Sequence, residues 1–326
     1  MLTEFERVTR AIQMRPALPP GGAQRLFNGF TEGWAQVVIE QFADTLVIYN
    51  HAQSGEGSAW LPDLSAHLLQ LVPEARQVLV KHRHAQNNDL RKGELLAGSS
   101  LPDMIEENGV RYALNLRLNQ DASFYLDTRS LRAWLKDHLK DRTLLNTFAY
   151  TGSLGVAALA GGARQVMQCD SKRAFLALSK RSAQINNLPP EANQMLTGDF
   201  FRVSADLRRQ DARFDCVVLD PPFFAAGSGG RIDLQRNAAT LINKVRPLIN
   251  DGGWLAAINN ALFLSGQDYM QVLTALAQDG YMRIETLLPV APDCSGYPET
   301  ITNPPPADPA PFNHSTKIAI LRVRRK

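Results

Sequence analysis

VVLDPPFFAAGSGG, residues 217–230, carries an apolar run straight into a carboxylate, two prolines and two phenylalanines, and then into small residues. The apolar run reads as a buried strand. The prolines fix the backbone after Asp220 and remove two N–H groups, so the corner is rigid and its carbonyls can only accept. Outward from this corner the texture repeats. Strand candidates TLLNTF, QVMQCD, NQMLTGD, FDCVVLD, GWLAAIN and KIAILRV alternate with helical stretches such as KRAFLALSKRSAQINN, LQRNAATLINKVRPLI and QDYMQVLTALAQDG, after an opening helix RSLRAWLKDHL. Such alternation implies right-handed crossovers and a mostly parallel sheet with helices on both faces. Ligands bind such sheets at the C-terminal ends of strands, which makes each strand end a candidate.

The first of these strands runs into LNTFAYTGSLG, residues 145–155. Gly152 allows close backbone approach ahead of a helix starting near Ser153; a packing glycine at a tight turn is the alternative. The dinucleotide fingerprint is absent, because Tyr150 stands where its first glycine belongs. The second strand ends at Asp170, about twenty residues past that turn, the spacing at which an acid meets ribose hydroxyls; a helix N-cap is the alternative. The third ends in Asp199 and Phe200, suited to an amino group and the face of adenine, or again to a helix cap.

Turn glycine, acid, acid and then DPPFF, at four successive strand ends, resemble the class I S-adenosylmethionine-dependent methyltransferases. FYLDTR (Phe124–Arg129), LNTFAYTG, the run from Cys169 and LDPPFF narrow the resemblance to the bacterial 23S ribosomal RNA large-subunit methyltransferases of the I and K type, from roughly Arg25 onward. The resemblance implies an α/β, Rossmann-like seven-stranded methyltransferase domain preceded by a small α+β domain, with S-adenosyl-L-methionine as cofactor and a role in ribosomal RNA processing. It assigns Phe124, Tyr125, Asp127, Arg129, Asn146, Phe148, Tyr150, Thr151, Gly152, Asp170, Ser171, Lys172, Asp199, Phe200 and Asp220 to the cofactor. Arg129 would pair with the methionine carboxylate, or else form a salt bridge within the following helix.

On the substrate side stand Asp220, Pro221, Pro222 and Phe223, with Phe223 stacking on a flat base and Phe224 expected in the core. Their alternative is a rigid loop. Methylation at carbon 5 of a pyrimidine needs a cysteine thiolate, which type I relatives place just past the fifth strand. Here that strand continues LAAINNALFL, while Cys169 and Cys216 look structural and Cys294 sits in a later loop. Carbon-5 chemistry is disfavoured. The pair Asn259 and Asn260 instead resembles the K branch and its reaction at guanine N7, or caps the next turn.

Composition bounds the remaining choices. The chain has 326 residues, 44% apolar and 21% charged, enough for two domains. Its 35 basic against 32 acidic residues leave a net charge of +3, too small to identify a nucleic-acid partner, so local clusters must do so. KHRHAQNNDLRK (81–92) is the densest basic segment, making Lys81, Arg83, Arg91 and Lys92 RNA-contact candidates beside the reading as a solvated loop. The terminal RVRRK adds to a basic edge. No metal site is expected. Three unpaired cysteines and an N-terminus without an apolar core suggest a cytoplasmic protein with no membrane segment, a monomer or homodimer. Residues 1–24 read as an N-terminal segment ending in a Pro-Pro-Gly-Gly linker, 25–120 as the small α+β RNA-binding domain, and 121–326 as the cofactor-binding domain. The type I relatives carry a separate N-terminal RNA-binding module; here the small domain is expected to bring the substrate alone. The proline-rich NPPPADPAPF (303–312) is expected along one edge of a site, and AAGSGG as slack for loop closure. The expected activity is methyl transfer to an RNA base; a methyltransferase of small molecules or proteins, and a non-catalytic cofactor-binding RNA chaperone, are the alternatives.

Overall fold

The structure, a computed structural model, describes residues 2–53, 59–227 and 230–325. The chain divides into two units, one of Met1–Leu126 with Ala291–Pro305 and one of Asp127–Val290 with Pro306–Lys326.

The first unit opens with helix α1 (Glu4–Met14), begun by a capping box in which Thr3 and Glu6 satisfy each other's backbone N–H. Its sheet is formed by β1 (Ala23–Asn28), β2 (Val37–Phe42), β3 (Thr45–Asn50), β4 (Gln77–His82) and β5 (Glu94–Ala97), in that spatial order. β2 and β3 form the expected antiparallel hairpin, whereas β3 and β4 are parallel. Their crossover carries α3 (Leu61–Leu71), which follows the single turn α2 (Gly29–Glu32) and precedes α4 (Asn88–Lys92). Leu61, Leu64 and Leu68 of α3 and Val8 and Ala11 of α1 pack with Val37, Ile39, Leu46, Ile48, Val78 and Val80 in one core. A second hairpin, β6 (Met104–Glu107) with β7 (Val110–Ala113), takes up only the first residues of the expected strand YALNLRL.

Residues 2–24, expected as an N-terminal segment ending in a linker, are therefore anchored in this unit through α1. The cause is a buried ion pair. Arg15 donates to both carboxylate oxygens of Glu32 at 2.7 and 2.9 Å, and its guanidinium lies over the Tyr297 ring, 5.1 Å from its centre. Glu32 also accepts from the Asn28 N–H (2.7 Å) and the Thr300 hydroxyl. With Arg25 N–H donating to Asp293 (2.9 Å) and Thr302 N–H to the Thr31 carbonyl (2.8 Å), these contacts assign Ala291–Pro305 to the first unit.

The second unit begins with α5 (Arg129–His138) and a seven-stranded sheet: β8 (Thr143–Thr147), β9 (Gln165–Asp170), β10 (Asn193–Thr197), β11 (Phe214–Leu219), β14 (Ile249–Asn259), β15 (Met282–Leu288) and β16 (Lys317–Val323). Between β11 and β14 lies a separate ribbon of β12 (Phe224–Gly227) and β13 (Gly230–Asp233). The sheet order is β10-β9-β8-β11-β14-β16-β15, parallel from β10 to β14 and antiparallel on both sides of β16. Helix α6 (Ser153–Ala160) packs on α5 and α7 (Arg173–Ile185); α8 (Phe200–Arg209) packs on α9 (Leu234–Val245), and α9 on α10 (Gly266–Ala277). Val203, Leu207, Leu241, Val245 and Leu273 of α8–α10 cover Val217, Leu219, Leu255 and Ala257 of the sheet. Strand order reverses between β8 and β11, the point at which such sheets open a crevice for a ligand.

One local expectation changes here. Phe224–Gly227 and Gly230–Asp233 are paired strands rather than slack, while Ser228 and Gly229 lie outside the described residues. The second half of the proline-rich segment packs on the start of α10, where Gly266 N–H donates to the Asp308 carbonyl (2.9 Å) and Phe312 is buried beside Tyr269. Among the described residues no helix is long and apolar enough to cross a membrane.

Arg15→Ala leaves Glu32 buried and unpaired, and is expected to cost about 3–5 kcal/mol in urea denaturation. The double replacement Arg15→Met with Glu32→Leu should cost much less, and a loss below about 1 kcal/mol for the single variant would refute the anchoring role.

Candidate active site

Five strand ends stand in a row in the second unit, in the order β10, β9, β8, β11, β14. With strands about 4.8 Å apart, the row is roughly 19 Å wide.

At the centre, β8 runs into a loop with unusual backbone. Phe148, Tyr150 and Gly152 all have positive φ, at 53°, 51° and 76°. This region disfavours side chains with a β-carbon, so strain is stored at two aromatic residues. Surrounding contacts hold it: Ala149 N–H donates to the Cys169 carbonyl (2.8 Å), Tyr150 N–H donates to Asp170 Oδ2 (2.9 Å), and the Phe148 ring stacks on Phe200 with centroids 4.6 Å apart. Thr151 is buried in the same turn. Gly152 is required on two counts, since a β-carbon there would also overlap the Ser179 side chain.

Beneath the loop lies Gln168, a buried residue of β9 that the motifs did not single out. Its amide donates to the Gly152 carbonyl and to Ser179 Oγ, both at 3.1 Å, and accepts from Asn146 Nδ2 at 2.8 Å. A β-carbon at Gly155 would collide with this amide. The signal was available in QVMQCD: a polar residue at an inward position of a buried strand needs partners. Asn146 is thus a buried member of this network, and its Oδ1 has no hydrogen-bond partner.

The two acids follow different alternatives. Asp170 does not cap α7, whose N-cap is Lys172. It accepts from Tyr150 N–H and from Lys172 N–H (2.9 Å), and burial raises its pKa despite those bonds. Ser171 and Lys172 are exposed beside it, the Lys172 ammonium 4.9 Å from the centre of the Phe175 ring. Asp199 does cap its helix, accepting from Phe201 N–H and Arg202 N–H at 2.9 and 3.2 Å, but both bonds fall on Oδ1. Its Oδ2 remains available beside the buried Phe200.

On the other side of the row stands the rigid corner. Asp220 has its pKa pushed up to about 7, first by burial and then by the charge of Asp127. Asp127 itself accepts from the Thr316 hydroxyl at 2.6 Å, and Arg129 opens α5. Pro221 is buried and Pro222 exposed; Phe223 is 43% exposed. Phe224, expected in the core, is 53% exposed at the start of β12, which pairs only with β13. Asn259 is corrected as a base contact: it is fully buried, its Nδ2 donating to the Leu234 carbonyl (3.2 Å) and its Oδ1 accepting from Ala261 N–H (3.0 Å). It therefore ties the end of β14 to the start of α9. Asn260 is only partly buried, and its Oδ1 has no partner.

The remaining candidates lie in the first unit. Phe124 is buried against Tyr112 (centroids 5.0 Å apart), and exposed Tyr125 donates its hydroxyl to Asp121 at 3.1 Å. Lys81 is corrected as an RNA contact. It is fully buried, its ammonium donates to the carbonyls of Lys92 (2.6 Å) and Asn119 (2.9 Å), and burial lowers its pKa to about 7. Arg83 is held by the Gln120 carbonyl and Asp121 at 2.6 and 2.9 Å. Arg91 donates to Asn88 Oδ1 (3.3 Å), and Lys92 ends α4. Instead of a solvated loop, the segment is a strand end and a helical turn in which Lys81 and Arg83 donate to backbone carbonyls.

All three cysteines are buried, and burial pushes the Cys169 thiol up to about 12 and the Cys216 thiol higher still. Among the described residues no group of three or more His, Cys, Asp or Glu residues could hold a metal ion. What the row offers is acceptor oxygens at Asp170, Asp199 and Asn146, aromatic rings at Phe148 and Phe200, and a backbone bent for close approach. That set fits a ligand with hydroxyls, amino groups and a flat ring, as S-adenosylmethionine has.

The profile of the S-adenosylmethionine-dependent methyltransferase family matches residues 49–294. Ribosomal RNA large subunit methyltransferase I of Pseudoalteromonas atlantica is 32% identical over 312 residues, covering 90% of this chain and 76% of that protein. The Cronobacter sakazakii protein of the same name is 27% identical over 260 residues, 78% of this chain and 65% of that protein, so the chain spans a little under two thirds of that relative's length. In fold it is similar to the crystal structure of SMU.776 complexed with SAH, with a TM-score of 0.82 over 99% of this chain and 83% of that one, at 20% identity.

Asp220 supplies a pH test. Its folded pKa lies above its unfolded value, so stability present below about pH 4 is lost as pH rises to about 7. Asp220→Asn should therefore stabilise the protein increasingly over that interval, with a plateau above it of at most about 4 kcal/mol. Urea denaturation at pH 5 and pH 8 reads the effect, and a pH-independent difference would contradict it.

Proposed function

This chain belongs to the S-adenosylmethionine-dependent methyltransferase family, and from that premise we propose that it methylates a base of large-subunit ribosomal RNA, with guanine N7 as the acceptor atom and the cytoplasm as its compartment. The observation that carries the reading is the exposed Phe223 ring on a proline-fixed corner, one strand away from the unpartnered oxygen of Asn260. An RNA base taken out of its stack needs a flat apolar partner and a few placed polar groups.

Asp170 would accept from the ribose hydroxyls and Asp199 Oδ2 from the adenine amino group, with Phe148 and Phe200 beside the ring and Asn146 and Gly152 near the methionine end. When bound, S-adenosylmethionine supplies an electrophilic sulfonium methyl. The residues of the second half of the row hold the base. Phe223 stacks on it. Asp220, neutral below about pH 7, donates to a ring-carbonyl oxygen such as guanine O6. Asn260 Oδ1 accepts from a base N–H. Guanine N7 carries an in-plane lone pair, so orientation suffices and no general base is required. Carbon-5 methylation would need a thiolate, and the burial and raised pKa values of Cys169 and Cys216 speak against one. Large-subunit ribosomal RNA as the substrate class rests on the relatives' names.

Labelled methyl transfer to RNA from a strain lacking the protein, followed by nucleoside mass spectrometry, is expected to give 7-methylguanosine; 5-methylcytidine would overturn the atom, and no RNA labelling the function. Phe223→Ala should lower kcat/KM for RNA about 10- to 100-fold without changing cofactor affinity, since base stacking is worth roughly 1–3 kcal/mol. Activity should fall as pH rises through about 7, and Asp220→Asn should remove that inflection.

A further inference from the structure

At the end of the sheet away from the row, a cleft of about 350 Å³ is lined by Asp251, Gly252, Arg283, Arg322, Arg324 and Arg325. Asn259 pairs with Lys317, so Gly252 and Arg324 of the cleft each lie seven residues along the chain from that end, roughly 24 Å from the candidate active site at about 3.4 Å per residue.

The cleft is built from fixed parts. Arg322 donates to both oxygens of Glu285 at 2.7 and 2.8 Å and to the Gly252 carbonyl at 2.8 Å. Its guanidinium lies over Trp254, 4.1 Å from the ring centre, and Arg142 lies over the same ring at 4.8 Å. Glu285 also accepts from Trp254 Nε1 (3.2 Å) and lies 3.7 Å from Arg283. Asp251 accepts the Arg325 backbone N–H (2.7 Å), and Arg324 N–H donates to the Tyr281 carbonyl (2.8 Å). The backbone beneath the last two arginines is thus pinned. Their guanidinium groups are exposed and have no ion-pair partner among the described residues. Four arginines face two carboxylates, one already neutralised by Arg322.

We propose that this cleft binds a phosphodiester of the RNA substrate, several nucleotides away from the methylated base. Guanidinium forks match phosphate oxygens bidentately, and the held backbone keeps Arg324 and Arg325 on the cleft lining. The inference rests on the RNA reading of the active site. A base held at the row tethers its own backbone near the cleft, so even a weak phosphate contact acts at high effective concentration. At about 3.4 Å of rise per nucleotide, roughly seven nucleotides cross the 24 Å.

The test is RNA binding by fluorescence anisotropy without methyl donor, over a salt series, for the unvaried protein and Arg324→Gln/Arg325→Gln. Both residues are exposed, and unchanged S-adenosylmethionine binding by calorimetry verifies the fold. The double variant should bind a 30-nucleotide RNA about tenfold more weakly, with the slope of log K against log salt reduced by about 1.5. Arg324→Lys/Arg325→Lys should keep most of the slope. A trinucleotide should show no difference. Equal affinity and slope for the glutamine variant on the long RNA would overturn the site. So would inorganic pyrophosphate or polyglutamate that saturates the arginines while leaving RNA binding unchanged. Failure of methyl transfer with this arginine-dependent RNA binding intact would instead count against the proposed activity.

Discussion

One buried amide supports the centre of the second unit. Gln168 occupies the space that Gly152 and Gly155 leave by lacking a β-carbon, and its three hydrogen bonds join β8, β9, α7 and the loop after β8. A buried amide with its capacity met is rigid, whereas one left half-met would be expensive. Fixing it there holds the loop in a backbone region that Phe148 and Tyr150 would otherwise avoid. The carboxylate of Asp170 then closes the loop from the next strand by accepting the Tyr150 N–H. Residues beneath the row thereby set where the candidate ligand contacts stand.

The carboxylates along the row divide by environment. Asp199 spends one oxygen on its helix and keeps the other, and Asp170 spends one bond on each side of itself. Asp220, partly buried and near the charge of Asp127, is the one whose pKa is pushed up to about 7. Two acceptors on one side and a near-neutral carboxyl on the other suit a row that meets two different ligands, one rich in donors and one presenting a ring carbonyl. The amides at the end of β14 split in the same way: Asn259 is consumed in holding α9, whereas Asn260 keeps a buried Oδ1 with no hydrogen-bond partner.

Charge behaves less simply than composition suggests. The densest basic segment lies in the first unit, where Lys81 and Arg83 close backbone carbonyls rather than face solvent. The short run at the C-terminus is the more open one, because its counter-charges, Glu285 and Asp251, are engaged by Arg322 and by a backbone amide. Burial, not local density, decides which cations are available.

Much of this was legible in the chain itself. Strand–helix alternation and an acid or glycine at each strand end are short-range patterns, and they sufficed for the parallel sheet and the family. The absence of a cysteine after the fifth strand was legible in the same way. Other properties depend on partners far away in sequence. Lys81 meets Asn119, Glu32 meets Thr300, and Asn259 meets Leu234 only after folding. Hence the sequence alone determined which residue types stand at the strand ends, because periodicity and turn chemistry act over a few residues. Only the tertiary structure decided which of them keep a free oxygen, an exposed ring or an unpaired charge, because burial and hydrogen-bond satisfaction are set by long-range neighbours.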